Sequence, residues 1–154
     1  MGAIEMKALA ALLAVLVLAG CGPREPRLPN AALDQAIGAS IGDPSTCVLI
    51  VDARTGKTVY SYNAGFDCVR GLPACDRPGY LNAKQALAFA TLPGGRMKSC
   101  NSVPDGSRTV GWAEGRVKSS KHDFIYSAVM EGQRALPGRE MAARLDNAFA
   151  NVGL

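Results

Sequence analysis

The sequence predicts an α+β fold: a small antiparallel sheet of about five strands with N- and C-terminal helices packed on one face. Three observations predict it. The candidate elements run helix, two strands, helix, three strands, helix. Each terminal segment carries one apolar stripe at helical spacing. The strand segments are neighbours joined by turn-forming residues, which favours antiparallel pairing. There is no internal repeat.

Each element has a local cause. Asn30 is a good helix N-cap, and Leu33, Ala36, Ile37 and Ile41 follow at helical spacing, predicting a helix over about 31–40. Gly42-Asp43-Pro44 ends it. Cys47–Val51 is a β-branched run, Asp52–Gly56 a turn, and Lys57–Tyr62 alternates, together a hairpin. Residues 64–80 are rich in Gly and Pro and form a stapled loop. Asn82-Ala83-Lys84-Gln85 spells a capping box, predicting a helix over about 83–91 that Pro93-Gly94-Gly95 stops. Arg96–Asn101 is a short strand. Thr109–Glu114 and Phe124–Met130 are two more, joined by a polar, basic tip at Arg116–Asp123. Pro137 can occupy the first turn of a last helix, with Met141, Leu145, Ala148 and Val152 on one stripe.

The first residues carry an address rather than a fold. Lys7–Gly20 is one charge followed by an apolar run, too short for a bilayer core of about 30 Å. A charged start, a short apolar run and small closing residues make a signal peptide over residues 1–20. Met6 opens that pattern more cleanly than Met1. Leu18-Ala19-Gly20-Cys21 resembles the lipobox of bacterial lipoproteins, in which cleavage precedes the cysteine and its sulfur receives diacylglycerol. The resemblance implies lipidation at Cys21, palmitate among the acyl chains, and a membrane partner through the N-terminal lipid. Gly22 in place of an aspartate implies the periplasmic face of the outer membrane over the inner membrane. Residues 21–29 hold three prolines and read as a semi-rigid tether, leaving 30–154 as a single domain.

The net charge of +4 is spread along the chain, with no long basic run or aromatic platform, so nucleic acid is not an expected partner. Four cysteines remain after Cys21, an even number that suggests disulfides in an exported domain. Three connectivities are open. The short Gly/Pro loop favours Cys68 with Cys75, leaving Cys47 with Cys100. A single histidine and no C-x-x-C pair argue against a metal site, and no cofactor is expected.

The mature domain resembles the sheet half of the serine penicillin-binding proteins and β-lactamases. The resemblance rests on a first helix leading into the hairpin VLIVDARTGKTVYSYN at Val48–Asn63, and on a late hairpin with Gly111-Trp112. A closing helix over Pro137–Leu154, to be packed beside the first, completes it. It covers about half of the mature chain. The family's chemistry needs Ser-x-x-Lys, because a serine hydroxyl attacks only when a nearby base takes its proton. Three residues before Lys57, Lys84, Lys98, Lys118 and Lys121 stand Arg54, Leu81, Gly95, Gly115 and Lys118, so the motif is absent. The helical insert that bears it is missing too. Lys98-Ser99-Cys100 partly matches the family's Lys-Thr/Ser-Gly strand, with Cys100 where glycine lets substrate lie close.

Other candidates have plainer expectations. His122 with Ser119 or Ser120 and Asp123 reads as a solvated tip rather than a triad, whose geometry is set in space. Asp52 is expected to bond local backbone. Trp112 is expected to be buried against the closing helix, and Glu114 to be an exposed strand carboxylate, both with a binding-face role as the alternative. Tyr60 and Tyr62 share a strand face. No catalytic residue is assigned. The sequence points to a non-catalytic envelope lipoprotein that binds or scaffolds, with peptidoglycan or a periplasmic protein as partner. A D,D-peptidase- or β-lactamase-related serine hydrolase and an inhibitor or immunity-type lipoprotein are the alternatives.

Overall fold

A computed structural model describes residues 27–118 and 120–154. The signal, Cys21 and most of the tether lie outside these residues, as does Ser119. Among the described residues, no helix is long and apolar enough to cross a membrane.

The chain forms α1 (Asn30–Ile41), β1 (Thr46–Asp52), β2 (Thr58–Tyr62) and a one-turn α2 (Phe66–Val69). Two-residue strands β3 (Leu72–Pro73) and β4 (Tyr80–Leu81) precede α3 (Ala83–Ala86), which tightens into a 3₁₀ turn at Leu87–Phe89. Then come β5 (Arg96–Asn101), β6 (Thr109–Arg116), β7 (Phe124–Gly132) and α4 (Gly138–Asn151). The fold is α+β, with a five-stranded antiparallel sheet in the order β2-β1-β7-β6-β5 and a second, two-stranded sheet β3-β4. β7, last in sequence, lies at the centre, and β2 and β5 are the edges.

Two helix starts differ in detail from expectation. Asn30 is the first residue of α1 and makes no side-chain cap; Pro29 stands before it, and its carbonyl takes the Leu33 amide. Pro137 likewise stands just before α4. The capping box at Asn82 and Gln85 forms reciprocally, at 2.9 and 3.0 Å. Its helix is shorter than the spacing suggests: the α-helical turn ends at Ala86 and continues as the 3₁₀ turn, with the Ala90 amide donating to the Leu87 carbonyl.

Alternation along the strands divides the core in two. Val48 and Ile50 of β1, Ala113 of β6, and Phe124, Tyr126, Ala128 and Met130 of β7 face Leu33, Ile37 and Ile41 of α1 and Met141, Leu145 and Phe149 of α4. The closing helix packs beside the first. It enters flush on β6: a Cβ on Gly138 would stand 1.9 Å from the Trp112 carbonyl oxygen, and one on Gly111 2.0 Å from that of Leu136. Only glycine permits such backbone approach.

The second face is also covered. Cys47 and Leu49 of β1, Val129 of β7 and Val110 and Trp112 of β6 pack under Cys68, Leu72, Ala83 and Ala86. Residues 64–90 therefore form a third layer rather than a loose loop. The Trp112 indole N–H donates to the Pro73 carbonyl at 2.8 Å. Trp112 is fully buried, yet its cover is this layer and not the closing helix. Its even position on β6 turns it away from Ala113, which faces α4.

The disulfides correct the expected pairing: Cys47 bonds Cys68 and Cys75 bonds Cys100, with Cα separations of 5.2 and 5.4 Å. Cys47 lies on β1 and Cys100 on β5, with β7 and β6 between them. Three inter-strand spacings of about 4.8 Å exceed the Cα reach of about 7 Å that a disulfide allows. Each bond instead ties the third layer to a different strand.

Candidate functional site

The third layer is held by charge as well as sulfur. Arg96 at the start of β5 is 4% exposed. Its Nη1 donates to both Glu114 carboxylate oxygens at 3.1 Å, and its Nε and Nη2 donate to Asp76 at 3.0 Å. Nη2 also donates to the Ala74 carbonyl. The Phe89 ring lies against both Arg96 and Arg77, whose guanidinium carbons are 4.7 and 4.4 Å from its centroid. One buried cation thus joins β6, the Cys75 loop and the 3₁₀ turn. The Arg96 and Arg77 hydrogen bonds hold the Asp76 carboxyl well below its usual range.

Glu114 is 1% exposed, not the exposed carboxylate expected. It shares Trp112's face of β6 and lies opposite Ser127 of β7. Burial pushes its carboxyl up to about 7, against the downward pull of Arg96. Among the described residues, the Ser127 hydroxyl is the one buried side-chain polar atom without a hydrogen-bond partner. It is sealed beneath the layer.

A second hub stands nearer the other end of the strands. Glu131 accepts from Arg108 at 2.8 and 2.5 Å, Ser102 at 2.6 Å and Arg70 at 2.6 Å. Arg108, with Ser102 and Arg70, holds its carboxyl down at about 2 against the penalty of burial. Sequence reasoning missed both hubs. Their signal was a carboxylate inside a nearly unbroken apolar strand, TVGWAEG and FIYSAVMEG, where burial demands a partner.

The sequence-selected residues do not converge. Lys98, Ser99 and Cys100 lie on edge strand β5. The Ser99 hydroxyl accepts from the Gly138 amide at 2.9 Å on the α4 face, and Cys100 is bonded into the third layer. Alternation therefore sends Lys98 and Ser99 to opposite sheet faces. His122 stands at the β6–β7 tip with its ring 5.4 Å from that of Phe124, while Asp123 is paired to Arg116. Asp52 accepts from the Arg54 and Thr55 amides at 2.9 and 3.1 Å. Tyr60 donates to Asp34 at 2.7 Å, and the Tyr62 hydroxyl lies 3.4 Å from a Cβ built on Gly38, so both tyrosines face α1.

Two of the open surfaces among the described residues bear on function. A groove of about 430 Å³ runs between α4 and the start of β5, lined by Leu92, Met97, Lys118, Tyr126, Arg139 and Ala142. The outer side of the third layer exposes Phe66, Val69 and Tyr80 at 69, 68 and 72%. Phe66 and Val69 are three apart on α2 and so share its side. Gly71 lies against Tyr80, at 3.5 Å from a built Cβ. These exposed side chains stand on a segment tied down by two disulfides and two ion clusters, with the Arg70 guanidinium carbon 5.6 Å from the Phe66 ring centroid. Among the described residues, no group of three or more His, Cys, Asp or Glu side chains is placed to hold a metal ion.

Comparison with known protein families, curated proteins and solved structures finds no match to this chain.

Proposed function

We propose that this chain is a non-catalytic envelope lipoprotein, anchored through Cys21, whose disulfide-stapled layer is a contact surface for another periplasmic protein. One observation carries the reading: Phe66, Val69 and Tyr80 are the three most exposed large apolar side chains among the described residues, and they lie on the segment held by both disulfides. Preordering such residues lowers the entropy cost of binding. Exposed apolar surface of this kind marks interaction sites. The lipobox and Gly22 support the outer membrane. We read the domain as related to the penicillin-binding sheet half without the nucleophile-bearing insert; a first helix leading into the β1–β2 hairpin and a closing helix packed beside it support that reading.

The patch favours an inhibitor or immunity-type contact over a wall-polymer scaffold, because polysaccharide recognition calls for several polar groups along a cleft, and of these side chains Tyr80 alone carries a hydroxyl. A serine hydrolase is the less favoured reading: Lys98 and Ser99 face apart, and Ser127 is sealed. A fluorescent penicillin is expected to leave the protein unlabelled. The test of the favoured reading is photocrosslinking in the native envelope with a benzophenone amino acid at Phe66, Tyr80 or, as control, Ser61 on edge strand β2. Positions 66 and 80 should give one adduct of discrete mass and position 61 none. No adduct at 66 or 80, with the protein co-sedimenting with purified peptidoglycan above a lipoprotein control, would replace this reading with the scaffold one.

A further inference from the structure

The chain enters the domain at one particular end of the sheet. Tyr60 of β2 bonds Asp34 in the first turns of α1, while Thr46 at the start of β1 donates to the carbonyl of Ile41, the last residue of α1. Asn30 therefore lies at the end of the strands where β1 finishes. Asp52 of β1 is opposite Phe124 of β7, and Arg116 of β6 is opposite Ile125, so the β6–β7 tip is at that same end. The Asp123 carbonyl accepts from the Ala53 amide, which brings the first hairpin turn beside it.

This end is basic. Arg27, Arg54, Arg116, Lys118 and Lys121 are exposed there. Asp52, Asp123 and Asp146 pair with Arg54, Arg116 and Lys118, while Arg27 and Lys121 have no carboxylate partner among the described residues. Leu92, close by before β5, adds an exposed apolar side chain.

We propose that this end of the domain rests on anionic lipid, with the Arg116–Asp123 tip against the headgroups of the membrane that holds Cys21. The inference rests on the lipoprotein reading for its anchor. Six Cα steps separate Cys21 from Arg27, and they reach at most about 20 Å. The apolar patch lies elsewhere on the domain. Phe66 follows Tyr62, opposite Val48 near the far end of the strands, and lies on the sheet face away from α1. Val48 is four residues from Asp52, roughly 13 Å along β1. With the basic end on the lipid, the apolar patch stands on a flank of the domain. Each lysine or arginine near an anionic surface is worth about fivefold in partitioning.

The test is hydrogen exchange by mass spectrometry on the full mature chain with vesicles of phosphatidylethanolamine and phosphatidylglycerol, and with phosphatidylcholine alone. The N-terminal peptide's mass reports acylation in the same sample. Residues 116–123 should exchange more slowly on the anionic vesicles only. Lys118→Glu with Lys121→Glu, or high salt, should abolish that protection, the double reversal weakening the contact by at least about 25-fold. An acylated chain whose tip is unprotected, or whose 66–81 segment is protected instead, overturns the inference and leaves the lipoprotein reading standing. An unacylated chain with a protected tip keeps the contact and removes the anchor. An unacylated chain with an unprotected tip ends both.

Discussion

Replacing Arg96 by methionine tests how the third layer is held. Arg96 is 4% and Glu114 1% exposed, so the substitution strands a buried carboxylate in apolar surroundings. Removing one partner of a buried pair costs about 3–5 kcal/mol, a large share of the roughly 5–15 kcal/mol that stabilises a domain. The cost should depend on pH. With Arg96 present, burial already raises the Glu114 carboxyl to about 7, above its ordinary 4.5. The folded state then holds a proton that the unfolded state has lost, and this group's contribution falls as pH rises from about 4.5 through 7. Without Arg96 the carboxyl rises further and the window extends upward, at no more than about 1.4 kcal/mol per pH unit. Urea unfolding of Arg96→Met should therefore show a larger loss at pH ~8 than at pH ~5. Arg96→Met with Glu114→Met should recover at least about 2 kcal/mol of that loss, since an apolar replacement leaves no buried charge. A loss below about 1 kcal/mol in the single variant, flat between the two pH values, would refute the reasoning.

Three further outcomes follow from the same structure. Glu131 sits at about 2, below its ordinary 4.5, so its contribution is full above about 4.5 and is lost as pH falls toward 2. Glu131→Gln should flatten that acid limb by about 2 kcal/mol in urea titrations, Arg108 being partly screened by solvent. Gly138→Ala places a Cβ 1.9 Å from the Trp112 carbonyl, and should lower stability by more than about 3 kcal/mol in thermal unfolding. Breaking the Cys75–Cys100 bond with two alanines opens a link across 25 residues and should cost about 3 kcal/mol, with peptide mapping of the parent giving Cys47–Cys68 and Cys75–Cys100 cross-links.

The sheet and its terminal helices were legible because hydrophobic spacing and turn chemistry act locally. The first hairpin and the Asn82–Gln85 capping box show this directly. The third layer was not legible, since the 64–80 segment has no periodicity and is organised by bonds to distant strands. A sequence clue to it existed. Cys47–Val51 and Phe124–Met130 are apolar on both alternating sets, with Ser127 the sole polar member, which central strands show when both faces are covered. Reading those runs as two-faced would have placed Trp112 and Glu114 inside. The disulfide pairing failed for a related reason: loop length favoured Cys68 with Cys75, while sheet order put Cys47 and Cys100 out of each other's reach. For the candidate surface the sequence offered the 64–80 loop as the contact of an inhibitor or immunity-type protein, but not Phe66, Val69 and Tyr80 themselves, because exposed and buried apolar side chains look alike until the layer beneath them is known.

Trp112 offers the most direct test of the central claim, that a stapled layer seals the second sheet face. It is the chain's one tryptophan, fully buried, and covered by residues that both disulfides hold down. Acrylamide quenching of its emission, before and after mild reduction, reads that cover alone. The account predicts blue-shifted, weakly quenched emission in the oxidised protein, turning red and quenchable once the disulfides are reduced while the far-ultraviolet dichroism stays largely sheet-like. Water-like emission in the oxidised protein, or emission unmoved by reduction, would contradict it.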